Sequence, residues 1–210
     1  MMRLRLAQVF ALALLLQALA FGTVARAADE VVGKVLAVRG DVVAQVGRER
    51  IPIVVAMEVR TSHVIVANAG KARIELADGT IVSIGEGSRV RIADLARAGT
   101  PATRVELISG ALRLLVAKAT PGARFEVETE TAIAAVRGTD WAIEATRDKT
   151  GVVVLTGAVE VKGRGAARAN AVLLDQPESG TDVPRNGPPT PPARWGAPRL
   201  AALLARTSLE

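Results

Sequence analysis

From Val31 to about Leu174 the chain runs in short stretches of period-two alternation, each broken by Gly, Asp-Gly or Pro. Successive side chains of a strand point to opposite faces, so such runs each bury one face, and the 3.6-residue stripe of a helix is missing throughout. Clear examples are Val42 to Val46, Ala72 to Leu76, Val105 to Ile108, Phe125 to Thr129, Trp141 to Ala145 and Val152 to Leu155. Short strands at this spacing predict an all-β domain, either an irregular two-sheet sandwich or a β-solenoid-like stack.

Three phrases, Gly40-Asp41-Val42, Gly110-Ala111-Leu112 and Gly157-Ala158-Val159, each place a glycine before an alternating run, at unequal separations that do not support a fixed-period solenoid. Ala72 to Ile84 reads as a hairpin around Asp78-Gly79. A two-residue turn there pairs Leu76 with Ile81 and puts Val82 and Ile84 on the face of Glu75 and Arg73, so the favoured expectation is a bend between two sheets.

Met1 to Ala27 has the order of a secretory signal peptide: basic Arg3 and Arg5, apolar Val9 to Leu19, then Ala25-Arg26-Ala27. Cleavage before Ala28 and a periplasmic product are expected, with no stable membrane insertion afterwards; the alternative is an uncleaved anchor in the inner membrane facing the periplasm. Without Arg3, Arg5 and Arg26 the formal charge falls from +6 to +3, too even a balance to point to nucleic acid. The chain has no cysteine, which excludes disulfides, thiolate metal sites and lipid attachment at a leader cysteine. Past the leader only Phe125, Trp141 and Trp195 are aromatic, so the core must be Val, Ile, Leu and Ala.

The composition shifts after Leu174. Seven of the ten prolines lie from Pro177 onward, and 175–198 reads as a mobile Pro/Gly-rich linker biased toward polyproline II. Residues 199–210 place Leu200, Leu203 and Leu204 on one side of a short amphipathic helix that needs a partner surface. The expected organisation is therefore a leader over 1–27, a β domain over 28–174, the linker and the helix.

Gly33 to Val42, the Ala77-Asp78-Gly79-Thr80 phrase with Ile84-Gly85 and Ser88, and Phe125 to Thr129 running through Ala135-Val136-Arg137-Gly138-Thr139-Asp140-Trp141 to Gly157-Ala158-Val159-Glu160-Val161 together resemble the FecR-domain family. Glu130 stands where that family usually has Pro, Trp141 where it often has Phe, and Val54 to Met57 lacks a common glycine. The resemblance, over about Val31 to Lys162, implies an all-β envelope domain without known catalytic residues. Only five residues precede the apolar leader, too few for the cytoplasmic segment with which the best-known members hold a sigma factor, so an anti-sigma role is not expected.

Candidate chemistry is sparse. His63 is the single histidine, no nucleophile-elbow phrase accompanies it, and a surface or turn position is expected. Glu126, Glu128 and Glu130 share one strand face and read as a solvated row or as partners of arginines, with no calcium-loop glycine nearby. Arg137-Gly138-Thr139 admits an anion-binding loop, but the expectation is structural: Gly138 supplies a special backbone geometry while Arg137 pairs with a carboxylate or carbonyl, the Glu126 to Glu130 strand being the nearest source. Trp195 is either a docking anchor for a partner or docks back onto its own domain. No catalytic constellation, cofactor or metal is expected. The expected role is a non-catalytic binding or scaffold module for an envelope protein or polysaccharide, or alternatively a periplasmic sensor or regulatory partner of a membrane signalling complex.

Overall fold

A computed structural model of the chain describes residues 29–95, 102–117, 124–165 and 170–209, and the expected leader lies outside them. In order the elements are β1 (Val31–Val46), β2 (Glu49–Pro52), β3 (Glu58–Arg60), β4 (Val64–Leu76), β5 (Ile81–Ile84), β6 (Ser88–Asp94), β7 (Ala102–Leu115), β8 (Arg124–Glu128), β9 (Ala132–Val136), β10 (Asp140–Ala145), β11 (Lys149–Thr156), β12 (Val159–Gly163), β13 (Ala171–Leu174), β14 (Ser179–Pro184), β15 (Ala193–Arg194) and α1 (Ala197–Thr207).

Three long strands are shared between two layers. The first half of β4 pairs with β6 (Ile65↔Val90) and its second half with β5 (Ile74↔Val82). Likewise the start of β7 pairs with β6 and, in parallel, with β8, whereas its end pairs with β5 and β10. One layer then continues through β10, β11, β14 and β15, the other through β8, β9, β12 and β13. Their inner faces close on one aliphatic core in which Phe125 and Trp141 are the aromatics. This is the sandwich rather than the solenoid.

The strands change layer at close backbone contacts. Gly40 is paired with Gly70 across β1 and β4, and a Cβ on either would meet the opposite chain's carbonyl oxygen at 2.3 or 2.6 Å. At Gly110 a Cβ would stand 2.3 Å from the Ser88 Cα. The repeated glycine phrases at 40 and 110 thus mark corners inside long strands, not strand starts.

The hairpin at Asp78-Gly79 differs from the two-residue expectation. Glu75 faces Ile81 and Ile74 faces Val82, while the Leu76 N–H donates to the Thr80 carbonyl. The loop therefore has three residues, with Gly79 at φ +81°, the geometry of a turn closed by a bulge glycine. One extra residue restores the register, so Ala72, Ile74, Val82 and Ile84 all reach the core. No bend between sheets is needed.

The expected linker also differs. Ser179–Pro184 is a strand of the sheet, paired with β11, and β15 pairs with β14 in turn. Between them Thr190 is tied back: its N–H donates to the Asp182 carbonyl, and the Thr181 hydroxyl donates to the Thr190 carbonyl at 2.7 Å. Proline density read as freedom because proline cannot donate to a sheet ladder, yet Thr190 and Trp195 supply the missing bonds. The helix α1 lies over β7, β10 and β11, where Leu200, Leu203 and Trp195 form a second core with Ala111, Ala142 and Val153. At its end the Leu204 carbonyl accepts from the Ser208 N–H, and the Lys71 ammonium donates to the Ala205 and Ser208 carbonyls at 2.6 and 2.9 Å.

Candidate functional site

β9 and β10 are joined by the Arg137-Gly138-Thr139 turn, which must redirect the chain within three residues. Gly138 has φ +76°, a left-handed conformation costly for residues with a Cβ. A second left-handed glycine, Gly157 at φ +94°, packs against it, and a Cβ there would meet the Thr139 hydroxyl at 3.0 Å and the Gly138 carbonyl at 3.1 Å. The buried Thr139 hydroxyl donates to the Ala158 carbonyl at 3.0 Å and its own carbonyl accepts from the Val116 N–H, so the turn is clamped from two sides. Beside it Arg113 and Asp140 pair through two hydrogen bonds of 3.1 and 2.9 Å, which raise the Arg113 pKa.

Arg137 behaves differently from its expected pairing. It is exposed, and it has no hydrogen bond or ion pair with any described residue. The glutamates it was expected to meet are taken by other arginines: Glu126 by Arg124 at 2.6 Å, Glu128 by Arg104 at 3.0 Å and Arg164 at 3.4 Å, Glu130 by Arg185 at 2.5 Å. The register explains this. Phe125 opposes Val136 at the last paired position of β9, so Arg137 lies beyond the ladder, on the side of Arg124 rather than of the glutamates.

These residues border a shallow groove of about 390 Å³ on the outer face of β8, β9, β12 and β13. It is lined by the small Ala135 and Ala158, by Arg124, Glu160 and Leu173, and by Arg137 of the turn. Glu160 opposes both Ala135 and Leu173 in the sheet, and its carboxylate is neutralised by Lys162 at 2.8 Å. Leu173 is 56% exposed. Sequence reasoning missed Arg124, Glu160 and Leu173 as neighbours of the turn. The one local signal was the pair of small residues, Ala135 and Ala158, at outward positions.

His63 is a turn residue, as expected, but a buried one. Its Nδ1 accepts from the Arg60 N–H at 3.3 Å. Burial, reinforced by the Arg60 charge and opposed by Asp29, lowers its pKa. Its ring therefore closes its own turn.

Trp195 docks back onto its own domain. It lies over Gly180 and Gly151, where a Cβ would stand 2.3 Å from the indole Nε1 and 3.1 Å from the ring carbon Cη2. Arg199 covers its other face, with its guanidinium carbon 3.4 Å from the ring centroid, and bonds Asp182 at 2.7 and 3.0 Å and Glu144 at 2.9 and 3.2 Å. Burial pushes the Asp182 carboxyl up, but Arg199 and Lys149 together hold it below its ordinary value. Among the described residues no cluster of His, Cys, Asp or Glu could hold a metal, and no helix is long and apolar enough to cross a membrane.

The family described as FecR protein matches residues 58–160. No curated protein matches the chain. Two crystal structures described as a "putative anti-sigma factor" from Parabacteroides distasonis ATCC 8503 share its fold at a TM-score of 0.54 and 24% identity over 66% of this chain. The chain spans 62% of the length of those structures.

Proposed function

The chain carries a FecR-family domain over residues 58–160, and from that premise we propose that it is an exported, non-catalytic binding module of the cell envelope, with the Arg137 groove as its contact surface. The observation that carries this is the contrast between neighbours. The arginines lining the adjacent glutamate row spend their charge within the fold, whereas Arg137, on a turn clamped through Thr139, is exposed and has no partner among the described residues. A clamped turn presenting a guanidinium without a partner among the described residues is suited to recognition, because little ordering entropy is lost on binding. His63, committed to its own turn, is a poor general base, which supports a role without catalysis. Export rests on the order of the leader at Met1 to Ala27.

A second reading, a periplasmic regulatory partner of a membrane signalling complex, is favoured by the shared fold with structures described as anti-sigma factors. Both readings use the same surface. A photo-crosslinking side chain at position 137, compared with one at exposed Val54, tests them in intact cells. An adduct formed from 137 alone, on a chain recovered from the periplasm and beginning at Ala28, is the expected result. A full-length chain in the membrane pellet overturns cleaved export, and equal crosslinking from both positions overturns the surface. A membrane signalling protein in the adduct selects the regulatory reading.

A further inference from the structure

We propose that the groove lined by Arg137 and Leu173 takes an acidic segment of a partner polypeptide, with one carboxylate on Arg137. The inference deepens the reading of the chain as a binding module and rests on it. The charge of the groove points to this occupant.

Two guanidinium groups, Arg124 and Arg137, line the groove together, with one carboxylate, Glu126, engaged by Arg124. Every Asp and Glu of the chain except Glu210 lies among the described residues, and none of those reaches Arg137. Lys162 neutralises the groove's own acid, Glu160. The groove therefore presents an unspent positive charge beside two alanines and an exposed leucine, the complement of a carboxylate next to a small apolar side chain.

The same chemistry argues against a polysaccharide. Sugar rings are held on exposed aromatic faces, and Phe125, Trp141 and Trp195 are at most 7% exposed, with none lining the groove.

The test uses the purified chain and three probes: a blocked hexapeptide alternating glutamate and valine, its glutamine counterpart, and an oligomer of glucuronic acid. Amide chemical shifts of Gly138, Ala158 and Leu173 are followed by NMR in the native chain and in Arg137→Gln, Leu173→Ser and, as a control outside the groove, Arg147→Gln. The acidic peptide should shift these amides, the glutamine peptide should not, and Arg137→Gln should weaken binding roughly tenfold with an unchanged melting temperature. Added salt should weaken it further. Failure of the acidic peptide to shift the groove amides, equal binding by Arg137→Gln, or a response to the glucuronic oligomer alone each overturns the proposal. Crosslinking from position 137 reads separately: a partner captured there without acidic-peptide binding removes this inference and leaves the binding module standing.

Discussion

The Arg199 guanidinium lies 3.4 Å above the centre of the Trp195 ring, and the same group bridges Asp182 on β14 to Glu144 on β10. One side chain thus seals the indole against Gly180 and ties α1 to two strands. Trp195→Ala should cost about 3 kcal/mol in urea denaturation, the usual range for a buried Trp. Hydrogen exchange should also show the α1 amides losing protection before those of the sheet, since the helix alone is too short to persist.

Removing the cation instead of the ring should act through pH. Asp182 has a depressed pKa in the folded state, so its contribution to stability is present above the ordinary value of 3.8 and is lost as pH falls through the folded value. Arg199→Leu takes away the larger cause of the depression and leaves only Lys149. Denaturation midpoints measured between neutral pH and pH 3 should therefore fall less steeply in Arg199→Leu than in the native chain, from a lower starting point.

His63 should govern a different window. Its folded pKa is lowered below 6.5, so between the two values the unfolded chain binds more protons than the folded one. The resulting stability is complete above about pH 6.5 and declines as pH drops below it. His63→Gln should flatten that decline, measured as denaturation midpoints at pH 7.5 and pH 5.

At the turn, Gly138→Val should destabilise the domain by about 1 to 3 kcal/mol, because valine must adopt φ +76°. Arg137→Ala, with no partner to lose among the described residues, should leave the melting temperature unchanged. A thermal scan of the two variants separates the structural member of the motif from the exposed one.

Trp141 is fully buried, and its indole N–H finds no acceptor among the described residues. Trp141→Phe loses ring volume but also removes an unsatisfied donor, so the two effects oppose each other. The expected change is within about 1.5 kcal/mol by chemical denaturation, well short of the loss in Trp141→Ala.

Much of this architecture was legible because strand alternation is a local signal. Val105 to Ile108 or Trp141 to Ala145 declares its faces without reference to any other residue. Loop geometry was harder to read: a single extra residue at Ala77-Asp78-Gly79 reversed which side chains of β5 face the core. The C-terminal region misled for a related reason, since its prolines describe what the backbone cannot donate and say nothing of Thr190 or Trp195 reaching back to β14. At the candidate site the special backbone geometry expected of Gly138 meets a left-handed φ of +76°, whereas the pairing assigned to Arg137 required a register that no local pattern encodes.

The sequence by itself determined an all-β chain with an aliphatic core, glycines where the backbone must turn or approach closely, and a short amphipathic helix in need of a surface. Those properties follow from side-chain period, volume and backbone freedom, which belong to a residue and its immediate neighbours. Only the tertiary structure decided that the strands close as a sandwich, that the helix and Trp195 cover the chain's own outer face, and that Arg124 rather than Arg137 meets Glu126. Each of these depends on the register between strands that need not be close in sequence, which is set by the simultaneous fit of many side chains in one core.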